Sequence, residues 1–155
     1  MEIMRIQQNL KRIQETLPEG ITLVAVSKYH PAAAIREAYA TGQRAFGESR
    51  VQELMQKREE LADLTDIDWH FIGHLQRNKV KQVVGKAALI QSIGSPELLA
   101  EVDRQAEKLG IVQDILLEVN IGGEEAKSGF APESLEQAAE ETKKCANVRV
   151  RGLMC

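Results

Sequence analysis

The sequence predicts an α/β protein of the TIM-type barrel class, and three observations carry that prediction. Short apolar runs alternate with helical patterns at intervals of about 20 to 30 residues, the rhythm of repeated strand-helix units. Several runs are apolar at consecutive positions, as strands of a parallel sheet covered on both faces are. No G-x-G-x-x-G follows the first run and no G-x-x-x-x-G-K-[ST] occurs anywhere, so the phosphate-cradling signatures of doubly wound open sheets are missing and the barrel is preferred.

The elements follow in order. Ile3, Ile6, Leu10, Ile13 and Leu17 recur at steps of three and four, an apolar stripe that predicts a helix over 3–17, stopped by Pro18 and Gly20. Candidate strands are Ile21 to Ser27, Arg44 to Gly47, Trp69 to Gly73, Leu89 to Ile93, Asp114 to Asn120 and Val148 to Met154. Between them, Pro31 opens a helix with Ile35, Ala38 and Tyr39 on its apolar side, and Glu48 begins one with Val51, Leu54, Met55 and Leu61. Ser95-Pro96 starts another with Leu99, Val102, Ala106 and Leu109, and Pro132 opens the last with Leu135, Ala138, Ala139 and Thr142. A barrel of this class needs eight strands and about 200 residues or more. With 155 residues, the pattern reads as a single domain over 1–155, truncated after its sixth strand and lacking the last two strand-loop units.

Composition narrows the function classes. Twenty Lys+Arg against 23 Asp+Glu leave a net charge of −3, so no overall basic field favours nucleic acid. At 43% hydrophobic and 28% charged, the chain can build a core, and disorder is excluded. No apolar run approaches the roughly 18 residues a membrane span requires, and the N-terminus has no signal-peptide core. Two cysteines, Cys145 and Cys155, form neither a disulfide framework nor a zinc pattern, and a cytoplasmic setting is expected.

In a barrel, functional groups gather where strands end at their C-terminal side. The first strand runs LVAVSKYHP, from Leu23 to Pro31, and period-two alternation puts Thr22, Val24, Val26 and Lys28 on one face. Partial burial of Lys28 at the rim would disfavour the ammonium and leave more free amine to attack an aldehyde. From spacing alone two readings stay open: an imine-forming lysine, or a solvated lysine just past a strand end.

Five motifs occur in order: VSKYHP (Val26 to Pro31), FGESRVQEL (Phe46 to Leu54), WHFIGHLQRNK (Trp69 to Lys79), EVNIGGEEAKSGF (Glu118 to Phe130) and RGLM (Arg151 to Met154). Together they resemble the pyridoxal 5′-phosphate (PLP) homeostasis protein family, single-domain relatives of the alanine racemase N-terminal barrel. The resemblance extends over almost the whole chain from Val24 onward. It implies that Lys28 holds PLP as an internal aldimine, with Ser49 and Met154 beside the cofactor; His70, read from the strand pattern as packing or pocket lining, is the fourth cofactor-binding candidate. Ser49 departs from the family, which often has Asn there, and a hydroxyl replaces the amide contact. The phosphate-binding Ser/Thr groups and the Arg facing the pyridine nitrogen belong to the two strand-loop units absent here.

The resemblance further implies a role in intracellular PLP homeostasis as a carrier or buffer, without efficient catalysis. Racemisation needs a base on each face of the bound cofactor, and the two tyrosines do not offer one: Tyr29 adjoins Lys28 and Tyr39 falls on a helix. PLP-dependent apoenzymes are the candidate recipients, with no membrane or nucleic-acid partner and a monomer at full length. The alternatives are a PLP-dependent amino-acid racemase-like enzyme, or a regulatory interaction module using the basic patch Arg77 to Lys86, which otherwise reads as a solvated helix face.

Three further features have plain readings. His70 and His74 are four apart, but on an extended strand that spacing separates them, so they are not a metal pair. The loop Ile121 to Phe130 is either a lid or an ordinary long connection. Glu118 and Arg151, charges within apolar strands, are expected to pair with each other.

Overall fold

The computed structural model describes residues 2–124 and 128–155. Its strands are β1 (Ala25–Val26), β2 (Ala45–Glu48), β3 (Asp68–Phe71), β4 (Leu89–Ile93), β5 (Gln113–Glu118) and β6 (Val148–Met154). Its helices are α1 (Glu2–Thr16), α2 (Ala32–Tyr39), α3 (Val51–Glu60), α4 (Val80–Val83), α5 (Pro96–Leu109) and α6 (Leu135–Lys143), with 3-10 turns at Arg77–Lys79 and Pro132–Ser134.

All six strands are parallel and lie in the order β1-β2-β3-β4-β5-β6. A doubly wound sheet reverses its strand order at a switch point; a barrel adds each strand beside the last. The sequential order is therefore the barrel arrangement, and among the described residues β1 and β6 are free edges.

Alternation assigns the faces. Phe46, Trp69, Phe71, Ile90, Ile115 and Leu117 are buried against the helices, where Ile35, Leu54, Val80, Val83, Val102 and Ala106 complete one core. That core, buried at roughly 25 cal/mol per Å² of apolar surface, is what holds helices to sheet. The opposite face is open at the β1 edge, where Val26 is 50% exposed. The start of α5 follows the expected chemistry, with the Ser95 hydroxyl accepting the Leu98 amide at 3.2 Å, Pro96 in the first turn and Gly110 closing the helix at φ +67°.

Four expectations are corrected. The first strand is two residues rather than Ile21 to Ser27, because the Gln43 side chain donates to the Leu23 carbonyl at 2.6 Å and takes the place of a ladder partner. Leu109 is exposed, since α5 ends there and the chain turns at Gly110. Ile13 is nearly half exposed, because α1 packs through Leu10 and Ile6 and is tied down by Gln7 donating to Glu37 at 2.9 Å. Glu118 and Arg151 do not pair: Asp114 sits opposite Arg149 in register and takes both its Nε at 2.7 Å and its Nη2 at 2.9 Å, with Arg151 3.9 Å away. Glu118 instead accepts the Ser128 hydroxyl at 3.1 Å.

Candidate functional site

The C-terminal ends of β1, β2 and β3 bring together three of the four residues singled out from the sequence. Val26 pairs with Gly47, and Gly47 with His70, so these three form one row across the sheet. Lys28 and Ser49 each lie two residues beyond that row, Lys28 in a turn, and the face of the row also carries Val24 and Ile72. Contact distances agree with that face: a Cβ on Gly47 would lie 3.1 Å from Ile72 and 3.3 Å from Val24. At Gly73 the backbone of Ser49 passes so close that a Cβ would meet its carbonyl oxygen at 2.1 Å, so only glycine lets the two loops approach. Met154 lies elsewhere, half-buried at the end of β6 and opposite Glu118.

Lys28 is exposed, which corrects the expected partial burial. The reason is tertiary: β1 is a two-residue edge strand, and no described element covers its outer side. Among the described residues its amine makes no hydrogen bond or ion pair. Two cavities open near the strand ends, and Lys28 lines neither. One, of about 700 Å³, is lined by His74, Glu118, Asn120 and Ser128. The other, of about 490 Å³, is lined by Tyr29, His30, Arg50 and Glu53.

His70 is half-buried on β3, with Nδ1 2.8 Å from the Gln91 amide nitrogen. An amide NH₂ can only donate, so Nδ1 is the acceptor and the ring proton sits on Nε2. Burial lowers the pKa of His70 below the ordinary imidazole value of 6.5, only partly opposed by Asp68. The ring is therefore a neutral donor through Nε2 at physiological pH.

On the helix side of the same strand ends lies a cluster that sequence reasoning did not find. Glu48 is fully buried and Lys57 is 5% exposed. The Lys57 ammonium donates to the Ser27 carbonyl at 2.6 Å, Glu48 Oε2 at 2.8 Å and Glu53 Oε1 at 2.7 Å. The Ser27 hydroxyl donates to Glu48 Oε2, and the Tyr29 amide donates to Glu53 Oε1 at 2.6 Å. Burial pushes the Glu48 carboxyl above its ordinary range, against the pull of Lys57 and Ser27. Burial also acts to raise Glu53, but its bonds from Lys57 and the Tyr29 amide outweigh it and leave its carboxyl below the ordinary range. A signal was present: Lys57 falls three residues after Leu54 and four before Leu61, on the apolar stripe of α3, where a lone charge must find partners.

The basic stretch is a 3-10 turn and one turn of helix, with Arg77, Lys81 and Lys86 exposed and Val80 and Val83 in the core. The suggested lid over Ile121 to Phe130 lies in part outside the described residues, at 125–127. Its described ends are tied by the Asn120 side-chain Nδ2 donating to the Glu124 carbonyl at 2.6 Å and by a bridge between Val119 and Phe130.

Six parallel strands in sequential order, with an accessible lysine where the first one ends, define the class: a TIM-type α/β barrel arc carrying a polar site at its C-terminal strand ends. The chain belongs to the alanine racemase N-terminal domain family, whose profile matches residues 2–155, and within it to the pyridoxal phosphate homeostasis proteins. It is 46% identical over 156 residues to the pyridoxal phosphate homeostasis protein of Aquifex aeolicus (strain VF5), covering 97% of this chain and 68% of the relative. The corresponding Pseudomonas aeruginosa protein is 42% identical over 137 residues, covering 88% of this chain and 59% of the relative. The chain thus spans about three fifths to two thirds of the length of these curated relatives. Among solved structures, PipY of Synechococcus elongatus PCC7942 with PLP bound superimposes with a TM-score of 0.90 at 42% identity, covering 96% of this chain and 69% of that one. Alanine racemase of Clostridium difficile 630 superimposes with a TM-score of 0.79 over 96% of this chain and 39% of that one; at 17% identity this likeness speaks to the fold alone.

Proposed function

We propose that this chain binds PLP through Lys28 and that the protein takes part in the intracellular homeostasis of that cofactor. The observation that carries the reading is an exposed amine without a hydrogen-bond or ion-pair partner among the described residues, just past the end of the first strand and at the same C-terminal side of the sheet as Ser49 and His70. Support comes from the 42% identical PipY structure that has PLP bound.

PLP supplies an aldehyde carbon to which an amine can bond covalently. The residues here divide the remaining tasks. Lys28 provides the nucleophilic nitrogen once a proton leaves it, and its exposure gives a carbonyl compound free approach. Ser49, just past the end of the neighbouring strand, offers one hydroxyl that can donate or accept, a shorter reach than an amide would have. His70 offers a neutral Nε2–H donor held in place by Gln91. Met154, across the sheet, would add an apolar contact.

The reading is of a carrier or buffer and not a racemase. Among the described residues, neither tyrosine stands opposite Lys28 as a second base. The Tyr39 hydroxyl is bound to Asp66, just before β3 begins, at the far end of the sheet from Lys28. Tyr29 is exposed, with the Arg50 guanidinium 4.9 Å from its ring centre. Deuterium appearing at the α-carbon of single amino-acid enantiomers, with useful turnover in deuterated water, would reverse this conclusion.

Borohydride reduction of the PLP-treated protein followed by peptide mapping tests the assignment. A pyridoxyl group on Lys28, absent from Lys28→Ala, is the expected result. Labelling spread over other lysines with Lys28 unmodified would end the proposal.

A further inference from the structure

The buried cluster behind β1 and β2 has a geometry that packing alone does not account for. Replacing a buried ion pair by apolar side chains of similar volume is often neutral or stabilising, so its presence calls for something that apolar groups cannot do. Here all three protons of the Lys57 ammonium are directed, and one of them goes to the Ser27 carbonyl, immediately before Lys28. That carbonyl also accepts the His30 amide at 3.0 Å, closing a four-residue turn from Ser27 to His30. The third residue of the turn, Tyr29, has φ +66°, the left-handed value that a type II turn requires and that glycine or asparagine adopt most readily. A tyrosine stays there because the Tyr29 amide is held by Glu53. The residues before and after Lys28 are therefore anchored to one buried cluster, while the Lys28 amine is left unbound.

We propose that Glu48, Glu53 and Lys57 are positioning residues that clamp the Ser27–His30 turn and so aim the Lys28 amine across the sheet face that carries Gly47 and His70. The inference rests on the reading that Lys28 carries PLP. Glu48 and Lys57 are buried on the helix side of the strand ends, behind that face. Lys57 fixes the carbonyl at the start of the turn, Glu53 fixes the amide at its strained residue, and Glu48 seats both Lys57 and the Ser27 hydroxyl. Glu48 Oε1 is buried without a partner. The structure thus tolerates an unsatisfied polar atom to keep the arrangement, as functional networks do.

The test uses the whole chain with Glu53→Ala, Lys57→Met, and Glu53→Ala combined with Tyr29→Asn, reading three quantities. Amide hydrogen exchange at Tyr29 and His30 reports the turn without any cofactor. Pyridoxyl labelling of Lys28 at limiting PLP reports aimed capture. Reductive methylation of Lys28 by formaldehyde reports the bare reactivity of the amine, which a small reagent meets from any direction.

Glu53→Ala is expected to speed Tyr29 exchange and weaken PLP labelling by about tenfold each, the loss of one charge-assisted hydrogen bond, with methylation unchanged. Adding Tyr29→Asn should restore most of the labelling, because asparagine accepts positive φ without the carboxylate. Unchanged labelling in folded Glu53→Ala, or labelling and methylation falling together, would overturn the clamp. Lys57→Met should repeat the pattern. If it does not fold, Glu53→Ala decides, since that side chain is partly solvent-exposed and its removal leaves the Lys57–Glu48 pair in place. Wild-type protein that never labels at Lys28 overturns the cofactor reading alone, and the exchange measurement still decides whether Glu53 holds the turn.

Discussion

Two ion-pair clusters at opposite edges of one sheet look alike by distance and differ in everything else. At the β1–β2 end, Lys57 and Glu48 meet at 2.8 Å with side chains 6% and 0% exposed. At the β5–β6 end, Arg149 and Asp114 meet at 2.7 Å with side chains 61% and 23% exposed. Water screens the second pair and solvates either member if the other is removed. It cannot reach the first, where losing one charge strands the other. Contact distance therefore says little about what such a pair does; burial, and the backbone groups that share it, say much more.

The largest expected effect follows from that difference. Lys57→Met should cost about 3 to 5 kcal/mol in urea unfolding, because Glu48 is left buried without its ammonium. A loss near zero would place the two clusters in the same class. Replacing both members, Glu48→Leu with Lys57→Met, should cost less than Lys57→Met alone, with a coupling of about 1 to 3 kcal/mol in the double-mutant cycle. Strict additivity would show that the pair does not act as a unit.

A smaller effect belongs to His70, between the two clusters. Its folded pKa is lowered by burial, so the unfolded chain binds the proton more readily. The stability it contributes is complete above the ordinary imidazole value and is lost as pH falls through the folded one. A nuclear magnetic resonance titration should find its midpoint below 6.5, and Gln91→Ala should leave the ring more mobile; a midpoint at or above 6.5 would refute the buried neutral form. Smallest of all, Arg149→Ala should leave the unfolding midpoint unresolved from wild type in moderate salt, because the guanidinium lies in water. A clear loss of stability there would mean that distance, not burial, sets the value of such pairs.

The missing phosphate-cradling glycine motifs chose a barrel over a doubly wound sheet, and the periodicities of apolar residues were enough to place all six strands and five of the helices. They worked because burial against one continuous core imposes a period of two or 3.6 on each segment by itself. The same alternation drew attention to Lys28 by extending the line of Val24 and Val26, but it did not foresee that the chain turns there and leaves the side chain exposed. The short helix at Val80–Val83 was read only as a basic surface, since one turn carries too little pattern to declare itself. The pairing of Glu118 with Arg151 was misread because register decides cross-strand neighbours, and the register shift between Ile115 and Leu116 falls between them.

What the sequence determined by itself was the order and type of the elements and the lysine at the first strand's end, all of them consequences of spacing along a few turns or a few residues. Which charges would be buried was decided only in three dimensions. Lys57 reaches the Ser27 carbonyl across 30 positions of chain and Glu48 across nine, and Lys28 is exposed because of which strands flank β1. The free energy of a charge depends on what surrounds it after folding, and no local pattern contains that information.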